Sequence, residues 1–298
     1  MINILTWNVR GLNNRGKQDE VKNLIHLYNI NICAVVETHV RLEVLPQVCK
    51  NTFGRWLWVS NQASCSYGTR IILAWDPALF DVMVIDMNSQ CLHAQVRVRG
   101  LDMMFLATFV YGANRSVERQ LLWSELRKFH AIVGDKPWVL SGDFNSLLFP
   151  HDALGGSSLR NSDMMDFFDC VEAIEVFDLR YTGIQHTLCQ KPKDESGLRR
   201  KLDRVMANIW FTSMFANYRT GTLPHIITYR PASNARVTMS QETTRLSTSP
   251  WGPTDPLGVG VSPRVPRPST GNVTRTATVT LTPSGPRPAR QSGATLRA

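Results

Sequence analysis

Ser141-Gly142-Asp143-Phe144-Asn145 sets a carboxylate and an amide two residues apart, directly after the apolar run from Lys136 to Leu140. That run predicts a buried strand that breaks at Gly142, so that Asp143 and Asn145 emerge at its C-terminal end, where α/β proteins bind ligands. Residues two apart on an extended chain point the same way. A carboxylate and an amide facing one small group suit a phosphate and an attacking water. The same Gly-Asp-x-Asn run is also what an Asx turn capping a strand looks like.

Three further strand patterns end in a residue of comparable use. Met1 to Trp7 leads into Asn8, Ile32 to Val36 into Glu37, and Met103 to Val110 into Tyr111. A carboxylate straight after Cys33-Ala34-Val35-Val36 costs free energy unless it opens into a cleft or meets a cation. A lone strand-end carboxylate suits Mg²⁺, which keeps several waters and takes one or two protein oxygens plus phosphate. Strand ends on one edge of a sheet converge, so the recurrence counts for more than any single position.

The elements that must position these groups follow from periodicity. Helical spacing marks Gln18 to Tyr28, Leu42 to Lys50, Ser116 to Val133, Ser162 to Ile174 and Ile209 to Phe215. Leu121, Leu122, Leu126, Phe129 and Val133 are expected on the inner face of the long helix, and Ser162 as the N-cap of the next. Strands are predicted over Trp56 to Ser60, Arg70 to Trp75, Asp81 to Met87, Cys91 to Val98, Thr187 to Leu188, Lys201 to Met206 and Arg219 to Ile227. Helices and strands alternate at both ends around a run of strands, an order that suits an α/β fold of two packed sheets flanked by helices. Trp7, Trp138 and Phe144 are expected in the core.

Five short motifs occur in order: Thr6-Trp7-Asn8-Val9-Arg10-Gly11-Leu12, Val36-Glu37-Thr38, Val110-Tyr111, Ser141 to Asn145, and Arg200-Lys201-Leu202-Asp203-Arg204-Val205. Together they resemble the endonuclease/exonuclease/phosphatase superfamily, and more closely the endonuclease domain of LINE-type non-LTR retrotransposons of plants. The resemblance covers residues 1 to 227 and implies a four-layer sandwich, two mainly antiparallel β-sheets flanked by helices, with a Mg²⁺ (or Mn²⁺) site at one edge. It implies that Glu37 holds the metal with Asn8 beside it, on metal or phosphate. Asp143 would orient or deprotonate the water, Asn145 bind the scissile phosphate, and Tyr111 add a hydrogen bond. Thr187 matches a threonine near the DNA backbone, and Asp203 the carboxylate that orients a C-terminal histidine. Arg10 stands where abasic-site repair endonucleases tend to carry an acid.

One motif departs. Members of the superfamily end in Ser-Asp-His, followed shortly by Pro, whereas this chain has Leu223-Pro224-His225-Ile226-Ile227-Thr228-Tyr229-Arg230-Pro231. The Asp-His is missing, and His225 falls before its place. The resemblance thus implies DNA nicking by Mg²⁺-dependent phosphodiester hydrolysis, impaired by this loss; the alternative is a catalytically dead remnant that at most binds nucleic acid.

Composition sets the remaining bounds. The net charge is +9, and residues 232–298 hold eight Arg, no Lys, Glu242 and Asp255, which leaves +3 for the first 231 residues. A mildly basic body is compatible with a polyanionic partner, here DNA. Nine of the 16 prolines lie after Pro231, where Trp251 is the one aromatic. Such a segment buries too little to offset its ordering entropy, so two regions are expected: a folded domain over 1–231 with its last strand incomplete, and a disordered Pro/Ser/Thr/Arg-rich tail over 232–298. The six cysteines show neither a C-x-x-C pair nor zinc spacing, consistent with reduced core thiols. No apolar run reaches 18 residues and no signal-peptide pattern opens the chain, so an intracellular protein, nuclear or cytoplasmic and not secreted or membrane-bound, is expected. No obligate protein partner is readable.

Overall fold

The computed structural model describes residues 2–154, 161–179, 181–182, 188–189, 199–216, 219–223 and 276–281. Its strands are β1 (Ile2–Asn8), β2 (Ile32–Val40), β3 (Leu57–Ser60), β4 (Thr69–Trp75), β5 (Phe80–Met87), β6 (Cys91–Val98), β7 (Met103–Tyr111), β8 (Trp138–Asp143), β9 (Ala153–Leu154), β10 (Phe177–Asp178), β11 (Tyr181–Thr182), β12 (Leu188–Cys189), β13 (Arg199–Arg200), β14 (Asp203–Ala207), β15 (Arg219–Leu223) and β16 (Thr276–Leu281). Its α-helices are α1 (Arg15–Leu27), α2 (Leu45–Phe53), α3 (Ser116–Val133), α4 (Ser162–Ala173) and α5 (Ile209–Met214).

Two large sheets form the body, one ordered β11-β15-β16-β1-β2-β4-β3 and the other β10-β14-β8-β7-β6-β5, with a small third sheet β12-β13-β9. Most pairs are antiparallel; β1–β2, β7–β8 and β11–β15 are parallel. Alternation along each strand explains why both faces are apolar. On β1 and β2, Ile2, Ile4, Ile32, Ala34 and Val36 enter a core shared with Ala94, Val96, Phe105, Phe109 and Val139 of the second sheet. The opposite faces, with Leu5, Trp7, Cys33 and Val35, are buried too, and α1 lies over that side, its Lys17 ammonium 5.5 Å from the Trp7 ring. Beyond the second sheet, Leu106, Val110, Trp138 and Leu140 pack with Leu122, Trp123, Leu126 and Phe129 of α3 and Phe167 and Cys170 of α4. The result is the expected α/β sandwich, with Trp7, Trp138 and Phe144 in its core.

Three local expectations are corrected. Asn161 rather than Ser162 caps α4, its side chain accepting from Met164 N at 2.8 Å; asparagine is as good a cap as serine, and Ser162 becomes the first helical residue. Leu121 points to solvent at 68% exposure, because the inner stripe of α3 runs through Arg119, Leu122, Trp123 and Leu126. Arg119 is buried there because it pairs with Asp163 at 2.6 Å. Finally, β8 does not break at Gly142 but runs on to Asp143.

Thr276–Leu281 lies inside the stretch expected to lack structure, yet forms β16, bonded antiparallel to β1 on one side and β15 on the other. For those six residues the expectation of a structureless tail is corrected. The boundary at residues 231 and 232 lies outside the described residues.

Candidate active site

Five strands deliver the site. β1 ends at Asn8, which pairs in register with Val36 of β2, so Glu37 follows immediately beside it. In the other sheet Tyr111 of β7 and Asp203 of β14 flank Asp143 of β8 in register. The two sheets meet where the Asn8 Nδ2 amide donates to Asp143 Oδ2 at 2.8 Å.

Glycine makes the approach of β7 and β8 possible. A Cβ on Gly142 would stand 2.0 Å from the Val110 carbonyl oxygen, and one on Gly112 would stand 2.4 Å from that of Phe144. Side chains at either position would separate the strand ends that hold Tyr111 and Asp143.

Asn145 reaches the site differently from the extended geometry expected. Its φ is +49°, and its N–H donates to Asp143 Oδ1 at 2.9 Å, an Asx turn. Asp143 is therefore held at both oxygens. The Asn145 Nδ2 amide donates to Gly112 O at 2.7 Å, which leaves its second N–H and its carbonyl oxygen for a ligand. The turn and the chemical site are one structure.

Glu37 also sits on strained backbone. The β2–β4 ladder is irregular between Val36 and Val40, a β-bulge in which Glu37 and His39 have φ of +56° and +51°. Gly11 N donates to Glu37 O and Leu12 N to Thr38 O, both at 2.8 Å, and Thr38 Oγ1 donates to Thr69 O at 2.8 Å. The bulge turns the carboxylate out of the ladder. Of the six described non-glycine residues with positive φ, Arg10, Glu37, His39 and Asn145 are at this edge. Left-handed backbone costs of order 1 kcal/mol or more per residue and gathers at functional sites.

The electrostatics are those of an acidic cleft. Burial raises the Asp143 pKa above the usual carboxylate range, as does the charge of Glu37; the Asn8 and Asn145 hydrogen bonds and the Arg10 charge oppose the shift. The Tyr111 hydroxyl is raised by burial and then by the charges of Glu37 and Asp143, so it stays protonated and can donate. Mutually repelling carboxylates beside an amide oxygen are hard oxygen donors, a set that fits Mg²⁺ or Mn²⁺. Among the described residues no group of three or more His, Cys, Asp or Glu is placed to hold a metal ion.

Of the residues singled out in the sequence, Asn8, Glu37, Tyr111, Asp143, Asn145 and Asp203 are brought to one edge. Thr187 and His225 lie outside the described residues. Arg70 and His39 were not foreseen. His39 Nε2 is 3.5 Å from Glu37 Oε1 and Arg70 NH1 is 2.8 Å from His39 Nδ1. No local sequence pattern marks Arg70, because the bulge it faces appears only in the β2–β4 ladder.

The fold is a sandwich of two sheets with carboxylates, amides and a tyrosine gathered at one edge. The sequence signature of the Endonuclease/Exonuclease/phosphatase family matches residues 5–258. The chain belongs to that family, whose members are hydrolases, nucleases and phosphatases among them. Solved structures of the same fold include the endonuclease domain of TRAS1, a telomere-specific non-LTR retrotransposon, at 12% identity and a TM-score of 0.56, covering 74% of this chain and 91% of that one. AP endonuclease LMAP from Leishmania major aligns at 12% identity and a TM-score of 0.57, covering 75% of this chain and 82% of that one. A mannosyl-6-phosphatase from Bacteroides thetaiotaomicron aligns at 14% identity and a TM-score of 0.50, covering 75% and 90%. No curated protein matches by sequence. Among the described residues no helix is long and apolar enough to cross a membrane.

Proposed function

We propose that the chain descends from a retrotransposon endonuclease that nicks DNA by Mg²⁺- or Mn²⁺-dependent phosphodiester hydrolysis, and that this copy works poorly. The observation that carries the reading is the Asn8–Asp143 hydrogen bond, which joins the two sheets at the edge where Glu37, Tyr111 and Asn145 also lie. Asp143, with its pKa raised by burial, orients the attacking water and accepts its proton. Asn145 offers its free N–H to a non-bridging phosphate oxygen, and the protonated Tyr111 hydroxyl offers another donor. Glu37 and Asn8 would hold the cation, which supplies Lewis-acid stabilisation of the charge that develops on phosphate. Thr187 is assigned to the DNA backbone.

The impairment is argued from the sequence after Leu223. Where the superfamily has Asp-His this chain has none, so the sequence supplies no histidine at the family's position. Loss of one acid–base or charge-neutralising group costs about 10² to 10⁴-fold. A second reading, a catalytically dead remnant that at most binds nucleic acid, rests on the same absence.

Supercoiled plasmid incubated with Mg²⁺ and the full chain, beside Asp143→Ala, separates the two. Slow nicking that requires the cation and disappears in the variant supports the hydrolase. No nicking at high protein concentration supports the remnant.

A further inference from the structure

The cleft as described has an electrostatic difficulty: Glu37 and Asp143 repel the phosphodiester they are meant to engage. A bound cation offsets part of that repulsion. Two guanidinium groups stand at the rim with no carboxylate within ion-pair distance among the described residues, Arg10 and Arg70. Elsewhere on the body some arginines are paired at home, as in Arg99–Asp81 at 2.5 Å and Arg119–Asp163 at 2.6 Å.

Arg70 is mounted with unusual firmness. Its backbone N–H and that of Ile71 both donate to Asn61 Oδ1, at 3.1 and 2.8 Å. Asn61 is fully buried and is itself anchored by its Nδ2 donating to Asn88 O at 2.8 Å. β4 pairs Ile71 with Val36 and Thr69 with Val40, so Arg70 lies opposite the bulge that carries Glu37. Arg70 NH1 lies 2.8 Å from His39 Nδ1 and 3.3 Å from Nε2, and a guanidinium has no acceptor, so the imidazole accepts from it; His39 Nε2 is in turn 3.5 Å from Glu37 Oε1. Arg70 is thereby tied to the Glu37 carboxylate through His39, and among the described residues most of its five N–H donors have no other side-chain partner. Arg10 comes to the same rim from β1: its backbone N–H donates to Asn8 Oδ1 at 3.1 Å and its side chain is exposed.

We infer that Arg70 and Arg10 form a two-guanidinium clamp at the rim of the Glu37–Asp143 cleft, holding backbone phosphates of bound DNA on either side of the one to be cut. The inference rests on the DNA-directed reading above and adds the residues that supply the attraction. The charges of both arginines act on the Tyr111 hydroxyl, against those of Glu37 and Asp143, as expected of groups around one cleft. The planar fork of a guanidinium matches two phosphate oxygens at once.

The test is anisotropy of a labelled DNA duplex titrated with the full chain in EDTA, so that binding is read without cleavage, across a series of KCl concentrations. Arg70→Gln and Arg10→Gln are each expected to flatten the slope of log K against log salt by about 0.9, and the double variant by about twice that. Arg99→Gln, in a surface pair in the turn after β6, should leave the slope unchanged. Arg70→Lys should keep the slope and weaken binding, since charge persists and the fork does not. Thermal unfolding checks each variant; should Arg70→Gln not fold, Arg10→Gln and Arg70→Lys carry the test. Wild-type slopes in folded Arg70→Gln and Arg10→Gln would overturn the clamp, as would failure of the wild-type chain to bind duplex. A flattened slope in a chain that never nicks leaves the clamp standing and removes the hydrolase reading, whereas nicking with unchanged slopes removes the clamp alone.

Discussion

Asn8 Nδ2 donates to Asp143 Oδ2 at 2.8 Å across 135 residues of chain, from the last residue of one strand to the last residue of another in the facing sheet. Both residues are buried, at 3% and 6% exposure. The bond therefore fastens the sandwich at its functional edge and keeps the Asp143 carboxylate aimed. Replacing Asn8 by Ala leaves a buried carboxylate oxygen without its donor, at a cost of about 1–3 kcal/mol, and raises the Asp143 pKa further. Asn8→Asp should cost more at neutral pH, because it puts a third acid beside Glu37 and Asp143, and should recover part of that loss on acidification. Urea unfolding of both variants at two pH values checks the order; equal stability of Asn8→Ala and wild type would mean that the bond is not formed.

Gly142→Ala tests how closely β7 and β8 approach. With a Cβ 2.0 Å from Val110 O, either the ladder parts or Ala is strained, and backbone atoms have no rotamer by which to yield. Loss of soluble, cooperatively folding protein is expected, at several kcal/mol for overpacking combined with strain. Gly112→Ala, 2.4 Å from Phe144 O, should behave alike, whereas Gly134→Ala, with nothing within 4 Å, should cost only the strain of its positive φ. Similar stabilities for all three would contradict the close approach.

The sandwich was legible because its strands are buried on both faces and read as short apolar runs, and because their polar ends recur. The identities of Asn8, Glu37, Tyr111, Asp143 and Asn145 followed from that recurrence. What gathers them did not: the bulge at Glu37 and the left-handed turn at Asn145 depend on a hydrogen bond donated by Gly11 N and on bonds accepted by the Thr69 and Gly112 carbonyls, contacts distant in sequence that no local pattern encodes. Arg70 escaped for the same reason, since a basic residue on a strand usually faces water. β16 was hidden by its surroundings: Thr276-Ala277-Thr278-Val279-Thr280-Leu281 is rich in β-branched residues, a strand signal submerged in a Pro/Ser/Thr/Arg-rich segment.

His93 makes stability depend on pH. The ring is fully buried, stacked on Phe129 at 4.4 Å, with Nδ1 2.7 Å from Thr108 Oγ1, and burial lowers its pKa to about 4. Below pH 6.5 the unfolded chain takes up a proton that the folded chain refuses until about pH 4, so stability falls as pH falls through that window. The loss attributable to His93 approaches about 3 kcal/mol near pH 4. His93→Leu, which cannot titrate, should be less stable at pH 8 through lost packing but show a shallower decline between pH 6.5 and 4. Parallel declines in urea unfolding would refute the assignment.

β16 closes a gap on which the site depends. Its ladders run from Ile2↔Leu281 to Trp7↔Thr276 on β1 and from Arg219↔Thr280 to Leu223↔Thr276 on β15, so a segment near the end of the chain occupies the place between them. At roughly 1 kcal/mol net per hydrogen bond, removing it costs several kcal/mol and bares two strand edges that can pair with other chains. A chain ending at Gly271 should therefore unfold at lower temperature and aggregate more readily than the full chain. Because β1 ends in Asn8, fraying of β1 should also loosen the Asn8–Asp143 bond, and DNA binding should weaken in step with stability. Hydrogen exchange gives the direct reading: amides of Thr276–Leu281 should be protected in the full chain, and those of β1 should lose protection on truncation. Exchange at unstructured rates across Thr276–Leu281, with β1 protected equally in both chains, would show that the sheet closes without it.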